Sequence, residues 1–105
     1  MKRIIFVYIT NPSKKVARNV ADMLLKKQLI ACANIFPVES MYRWKRNIVH
    51  EKEWVTLCKT TGKQYAHIQK EVRAIHPYTI PCIIKIPISA NTAYGKWLNG
   101  QLKRG

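Results

Sequence analysis

The segment ACANIFPVESMYRWKRNIVHEKEWVTLCKTT, residues 31–61, decides the fold of this 105-residue chain. It is too long for one strand, too rich in β-branched and aromatic residues for a helix, and contains no glycine. This composition predicts one long hairpin with arms at residues 29–38 and 53–61 and a tip near Arg46 and Asn47. A hairpin of this length on so small a chain carries more apolar surface than one chain can cover, which predicts an oligomer.

The elements on either side of the hairpin follow from apolar periodicity and from proline and asparagine punctuation. An apolar run at residues 4–10 predicts a strand, and residues 12–27 predict a helix with Asn11 as its cap and Pro12 at its first position. A second helix begins after Gly62 and is stopped by Pro77, a strand follows at residues 82–88, and Asn91 caps a short last helix. The order β-α-β-β-α-β with a C-terminal helix predicts an α+β fold, a ferredoxin-like sandwich in a single domain, residues 1–105.

The charge of the chain is strongly basic, with 19 Lys and Arg against 5 Asp and Glu and a formal net charge of +14. One interpretation is a polyanion partner, since basic side chains bind phosphates by releasing counterions, and this makes a basic nucleic-acid-binding module one alternative function. The basic residues are scattered, however, and no run reaches the length of a nucleic-acid tail. We therefore expect no nucleic-acid binding beyond non-specific attraction.

Several classes of protein lack their usual signals in this sequence. No run approaches the roughly 20 apolar residues of a membrane span, and the short apolar run after Met1 is interpreted as a strand and not as an export signal. Three cysteines without close pairs predict free thiols in a reducing cytoplasm. No phosphate loop, nucleophile elbow or zinc-protease motif is present, and Glu51 and Glu53 alternate along a strand without having to converge. The sequence predicts a binding protein and not an enzyme.

A set of linked motifs resembles one known family. The motifs are ACANIFP (31–37), Tyr42-x-Trp44, Glu53 with Lys59-Thr60, HPYTIP (76–81) and Asn91-x-x-Tyr94-x-x-Trp97-Leu98. In this order they are similar to the CutA divalent-cation tolerance proteins, over about residues 4 to 102. The resemblance implies a ferredoxin-like fold, a homotrimer related in shape to the PII signalling proteins, a cytoplasmic location and a role in metal-ion tolerance. It also implies copper binding in some members, through a first-strand Cys and through His and acidic groups around HPY.

Carried across to this chain, the metal site implied by the resemblance is altered. Ile9 stands at the first-strand Cys position, and Thr79 and Cys82 stand where acidic residues are frequent. His76 and Cys82 remain as candidate ligands for copper or another divalent cation. Two ligands per chain do not close a four-ligand site, so a neighbouring chain or a third group would have to contribute. The structural alternatives are a turn histidine and a buried strand cysteine.

A second candidate site is a cleft for a small anion. Lys59 lies among apolar neighbours and either pairs with Glu53 or binds an anion together with Tyr78. Tyr42 and Trp44 either stack on the ligand there or pack a subunit interface. This site belongs to the other alternative function, a PII-like trimeric scaffold that binds a small anion or a partner protein.

Overall fold

A four-stranded antiparallel sheet forms the centre of the fold in the computed structural model, which describes residues 3–103. The elements in chain order are β1 (Ile4–Asn11), α1 (Lys14–Lys26), β2 (Cys32–Trp44), β3 (Asn47–Thr61), a 3₁₀ turn (Gly62–Gln64), α2 (Tyr65–Ile75), β4 (Ile83–Pro87) and α3 (Thr92–Gly100). The strand order across the sheet is β2-β3-β1-β4. This arrangement confirms the predicted ferredoxin-like α+β fold.

The core lies between the sheet and the two longer helices. Side chains of β1 alternate, so that Ile5, Val7 and Ile9 are fully buried in the core. On each of the two helices, apolar residues recur about once per turn and pack against these β1 side chains. Val20 of α1 and Ile68 of α2 are examples. The helices thus cover one face of the sheet.

The hairpin of β2 and β3 is longer than the sequence predicts, because pairing continues past residues 38 and 53 until Trp44 faces Asn47. The tip is confirmed at the predicted place. Lys45 and Arg46 form a two-residue connection with φ angles of 47° and 69°. Positive φ at both positions is the geometry of a type I′ turn, whose twist matches that of the flanking strands. Because β3 pairs with β1 only as far as Trp54, the outer half of the hairpin projects beyond the rest of the sheet.

One helix boundary differs from the prediction. The cap of α1 is Ser13, whose Oγ accepts a hydrogen bond from the Val16 N–H at 3.2 Å, and the helix begins at Lys14. Asn11 is instead the last residue of β1, opposite Trp54, and it is fully buried. At the other helix ends the prediction holds: α2 ends just before the His76-Pro77 step, and Asn91 precedes α3, although its side chain makes no capping hydrogen bond.

The face of the sheet away from α1 and α2, called here the open face, is largely apolar, although Asn34, Glu53 and Lys59 also lie on it. Its residues in β1, β2, β3 and β4 include Phe6, Tyr8, Phe36, Leu57, Ile84 and Ile86. At one end α3 covers it closely: a Cβ on Gly95 would lie 3.2 Å from Ile4 Cδ1, so this position requires a glycine or a shift of Ile4. Farther along, no described residue covers Ile84, which remains 49% exposed.

Candidate functional site

A pocket of about 800 Å³ lies between the outer half of the hairpin and the loop that joins α2 to β4. Thr10, at the end of β1, forms part of its wall. The hairpin contributes Met41 and neighbouring residues of β2 and β3, and the loop contributes Pro77–Ile80 and Cys82. A pocket of this volume falls within the usual range for small-molecule sites.

The wall of the pocket is acidic. Glu39, Glu51 and Glu53 line it, which is three of the five acidic residues of the whole chain. Within residues 3–103 the lining contains no Lys, Arg or His. The ion pairs of the same residues use only the other two acidic residues, Asp22 and Glu71. The chain carries a net charge of +14. Even so, the carboxylates that line this pocket form no ion pair with any basic side chain of residues 3–103.

Two of the carboxylates are hydrogen-bonded to tyrosines. Tyr42 Oη donates to Glu51 Oε1 and Tyr78 Oη donates to Glu53 Oε2, each at 2.6 Å. The hydrogen bond to Glu51 raises the pKa of Tyr42, and burial together with Glu53 raises the pKa of Tyr78. Both phenols therefore remain neutral donors near neutral pH. Glu53 is only 6% exposed, so Tyr78 supplies the polar contact that its burial requires.

His76 supports Tyr78 from behind. The Tyr78 backbone N–H donates to His76 Nδ1 at 3.2 Å, so Nε2 carries the ring proton. That proton points at Thr10 O, 3.0 Å away, and at Asn11 Oδ1, 3.1 Å away. The ring centroid lies 4.8 Å from that of Tyr78. Both ring nitrogens are thus occupied, and the geometry specifies one neutral tautomer.

The hydrogen bonds continue from His76 into the core through Asn11. Asn11 Nδ2 donates to Trp54 O at 2.9 Å and lies 3.1 Å from Thr56 Oγ1. Thr56 Oγ1 in turn donates to Ala17 O in α1 at 3.0 Å. This buried chain, called here the Asn11 network, links the loop beside the pocket to β3 and to the first helix.

The buried tautomer of His76 predicts a pH effect on stability. Burial lowers the pKa of His76, so between its folded value and the ordinary value near 6.5 the unfolded chain binds more protons. Stability should therefore fall as pH drops below about 6.5, and it should recover on return to neutrality. Thermal unfolding of the wild type and of His76→Asn at pH 7.5 and 5.5 checks this. We expect a smaller difference in Tm between the two pH values in the variant; equal differences in both proteins would contradict the assignment.

The predicted metal ligands are not brought together in this pocket. Cys82 and Thr79 both line the pocket, whereas His76 is absent from the lining and Ile9 is fully buried in the core. Among residues 3–103 no group of three or more His, Cys, Asp or Glu side chains is placed to hold one ion. The pairing of His76 with Cys82 stays a prediction, and metal binding by His76 would require at least one of its two ring nitrogens to give up its hydrogen bonds.

The predicted anion cleft is divided by the structure. Tyr42, Trp44 and Tyr78 line the same pocket, but Lys59 lies outside it, with its Nζ 5.6 Å from the ring centroid of Tyr94. Lys59 and Glu53 lie on one strand about 20 Å apart, at a rise of about 3.3 Å per residue, so they do not pair within the chain. The pocket thus has the opposite sign of charge to the one predicted.

Comparison with known proteins identifies the family. The family described as "CutA1 divalent ion tolerance protein" matches residues 5–101. This chain belongs to the CutA1 family. The resemblance found in the motifs is thereby confirmed.

Relatives in the CutA1 family match most of the chain in sequence and in structure. The divalent-cation tolerance protein CutA of Thermus thermophilus is 43% identical over 94 residues, 88% of this chain and 91% of that protein. The periplasmic divalent cation tolerance protein CutA from Archaeoglobus fulgidus has a TM-score of 0.93 at 38% identity, over 95% of this chain and 99% of that one. CutA1 from Oryza sativa has a TM-score of 0.95 at 30% identity, over 99% and 97%. The names of the first two describe tolerance to divalent cations.

Proposed function

We propose that this CutA1-family protein acts in divalent-cation tolerance as a homotrimer that binds cations and catalyses no reaction. The observation that carries the proposal is the concentration of carboxylates in one pocket. Of the five acidic side chains, Asp22 and Glu71 form ion pairs with basic residues on the helices. The three that line the pocket form no ion pair within residues 3–103, and two of them, Glu51 and Glu53, share one face of β3. Glu39 lies opposite Lys52 on the other face of the hairpin.

The electrostatics of the whole chain makes this distribution significant. A net charge of +14 repels cations from the surface, but salt confines that repulsion to about 8 Å at physiological ionic strength. Inside a pocket lined by carboxylates, the nearest charges have the opposite sign and outweigh the more distant, screened lysines and arginines. The pocket is therefore a part of the described surface at which the nearest charges favour a cation.

The homotrimer is supported by the open face. Apolar residues from all four strands lie there, and α3 covers only one end. Burial of apolar surface contributes about 25 cal/mol per Å², so contact between copies through this face is favourable. Within residues 3–103 no helix has the length and apolar content to cross a membrane. We place the protein in the cytoplasm because Cys32, Cys58 and Cys82 are all free thiols.

Copper is the metal that the resemblance implies, and one chain fits it incompletely. Cys82 is the soft ligand on the pocket wall, with carboxylates as the other donors. No described group of three donors converges on one point, so a closed site needs water or a neighbouring chain. Copper bound at a subunit boundary would meet this requirement.

Native mass spectrometry of reduced, metal-stripped protein tests the proposal, with and without copper and zinc. We expect a trimer of about 37 kDa, three chains of 12.2 kDa, with whole-number metal per chain. Glu53→Gln should lose the metal and keep the trimer, since it removes one pocket charge with little change in shape. Glu71→Gln, on α2 outside the pocket, is the matched control and should behave as wild type.

Two further variants test the copper ligands. Cys82→Ser should weaken copper uptake more than zinc uptake, because a thiolate is the softer ligand. His76→Ala loses copper with an intact trimer if His76 is a ligand; unchanged copper affinity would remove it from the site. A trimer that takes up no metal, or equal uptake by the Glu53 and Glu71 variants, would contradict cation binding at the pocket.

A further inference from the structure

One side-chain hydrogen bond joins the two walls of the pocket. The outer half of the hairpin forms one wall, and the loop between α2 and β4 forms the other. Among residues 3–103, the only side-chain hydrogen bond from that loop to the hairpin runs from Tyr78 Oη to Glu53 Oε2, at 2.6 Å. A shift of the loop by about 1 Å would break this bond, because a side-chain donor and acceptor about 3.6 Å apart no longer form one. The position of the loop therefore decides how Glu53 is held.

His76 attaches this loop to the sheet. Its Nε2–H is directed at Thr10 O, 3.0 Å away, and at Asn11 Oδ1, 3.1 Å away, and both residues lie at the end of β1. Its Nδ1 accepts a hydrogen bond from the Tyr78 backbone N–H at 3.2 Å. The tilted contact between the two rings, with centroids 4.8 Å apart, restrains Tyr78 further. One side chain thus fixes both the start of the loop and the residue that reaches Glu53.

Asn11 completes a closed circuit of contacts. Its Oδ1 accepts the hydrogen bond from His76 Nε2, and its Nδ2 donates to Trp54 O at 2.9 Å. Trp54 follows Glu53 in β3, so the circuit returns to the carboxylate and, through Tyr78, to His76. Asn11 is fully buried, and Glu53 and His76 are only 6% and 9% exposed. A buried circuit of this kind has little freedom, because no member can move without stretching a hydrogen bond of another.

The same geometry is unsuited to metal binding by His76 itself. A metal-bound imidazole presents the lone pair of one nitrogen to the metal and donates a hydrogen bond from the other. In His76 the Nδ1 lone pair meets the Tyr78 N–H, and the Nε2 proton is directed at β1. The side chain is also absent from the pocket lining, whereas Cys82 and three glutamates are part of it. The donors for a cation therefore lie on the wall, and His76 lies behind it.

We propose that His76 is a positioning residue of the cation pocket: it places Tyr78 so that the phenol holds the Glu53 carboxylate in the orientation that receives the cation. The inference rests on the proposed function, since it takes the pocket as the place of the cation, and it gives His76 a role other than that of a ligand. Every hydrogen bond of the circuit lies within one chain. The role is therefore the same whichever groups a neighbouring copy adds to the site.

The conservative variant His76→Gln separates positioning from ligation. Its amide nitrogen can take the place of Nε2 and donate to Thr10 O and Asn11 Oδ1. A positioning role predicts that His76→Ala binds copper about tenfold or more weakly than the wild type, and that His76→Gln stays within about threefold of it. A ligand role predicts equal losses in both variants, because a carboxamide does not replace imidazole on copper. Competition with a colorimetric copper chelator measures these affinities in the reduced proteins.

Tyr78→Phe and His67→Ala complete the series. Tyr78→Phe removes only the hydroxyl and should lower copper affinity as much as His76→Ala does. The double variant should lose no more than either single variant, because His76 acts through Tyr78. His67→Ala removes another histidine, which lies on α2 outside the pocket lining, and should bind copper as the wild type does. Circular dichroism checks that each variant is folded.

Hydrogen–deuterium exchange of the metal-stripped proteins observes the loop without a metal. The amides of residues 78–80 should exchange about tenfold faster in His76→Ala than in the wild type, because the loop has lost its attachment to β1. His76→Gln should restore most of the protection, and His67→Ala should leave it unchanged.

The two measurements separate this inference from the proposed function. Unchanged exchange of the loop in His76→Ala, or equal copper losses in the alanine and glutamine variants, would overturn the positioning role and leave cation binding by the wild type standing. A wild-type protein that takes up neither copper nor zinc would overturn the proposed function. The exchange of the loop then decides the inference by itself: faster exchange that glutamine restores supports it, and any other result overturns it.

Discussion

Replacing Asn11 by leucine should lower the free energy of unfolding by about 3 kcal/mol, because it removes the centre of the Asn11 network. The side chain is fully buried and contacts His76 Nε2, Trp54 O and Thr56 Oγ1. Leucine has nearly the same size but offers neither donor nor acceptor, so several polar groups lose a partner away from water. Each such loss costs about 1 kcal/mol or more. Chemical denaturation at fixed chain concentration measures the change.

A surface asparagine provides the control for this substitution. Asn99 is exposed on α3, and Asn99→Leu should change stability by less than about 0.5 kcal/mol. The double variant Asn11→Leu with His76→Asn tests whether the two residues act together, and we expect a coupling energy above about 0.5 kcal/mol. A loss below about 1 kcal/mol for Asn11→Leu would show that the network contributes little to folding.

A carboxylate in the middle of the open face should dissociate the proposed trimer. Ile84 lies on β4 opposite Tyr8 and is 49% exposed in the single chain. In a trimer formed through this face, Ile84→Glu would bury an unpaired charge in each of three apolar contacts, at several kcal/mol per copy. We expect the variant to sediment as a monomer at concentrations at which the wild type is a trimer. Sedimentation equilibrium measures both masses.

The matched control places the same charge on the other side of the molecule. Leu25, on α1, is exposed to a similar extent, 43%, but lies outside the open face. Leu25→Glu should remain trimeric. If the Ile84 variant is folded by circular dichroism and still trimeric, the copies do not meet through β4.

The sequence predicts the elements well where the signal is local. The alternation in β1, the helical spacing of Val16, Val20 and Leu24, and the glycine-free hairpin each arise from neighbours along the chain, so the fold follows from them. Asn11 shows the limit of this reasoning. An asparagine before a proline is a good helix cap, and so is Ser13 two residues later. The sheet decides between them: Asn11 pairs with Trp54 as the last residue of β1, so Ser13 caps the helix instead.

The acidic pocket is harder to predict because its residues come together through register. Glu39 belongs to one strand of the hairpin, and Glu51 and Glu53 belong to the other. The turn at Lys45 and Arg46 places Ser40 opposite Glu51 and Val38 opposite Glu53, so both glutamates of β3 share one face of the hairpin. Glu39 also lines the pocket, but it lies opposite Lys52 and its side chain projects from the other face. The prediction of an anion cleft depended on Lys59. This residue belongs to the same motif as Glu53, but it lies about 20 Å from Glu53 along β3. Counting the pairs back from the tip of the hairpin would have revealed the carboxylates.

The strand order also sets the sequence of events as the chain folds during synthesis. The first of the four described strands to be synthesised, β1, lies in the interior of the sheet between β3 and β4. The hairpin of β2 and β3 has neighbouring partners and can form early, since short loops close fast. β1 then waits with one edge unpaired until Pro87, the end of β4, has been made. Nascent chains shorter than this have an open edge strand and are the stage at which aggregation is the main hazard.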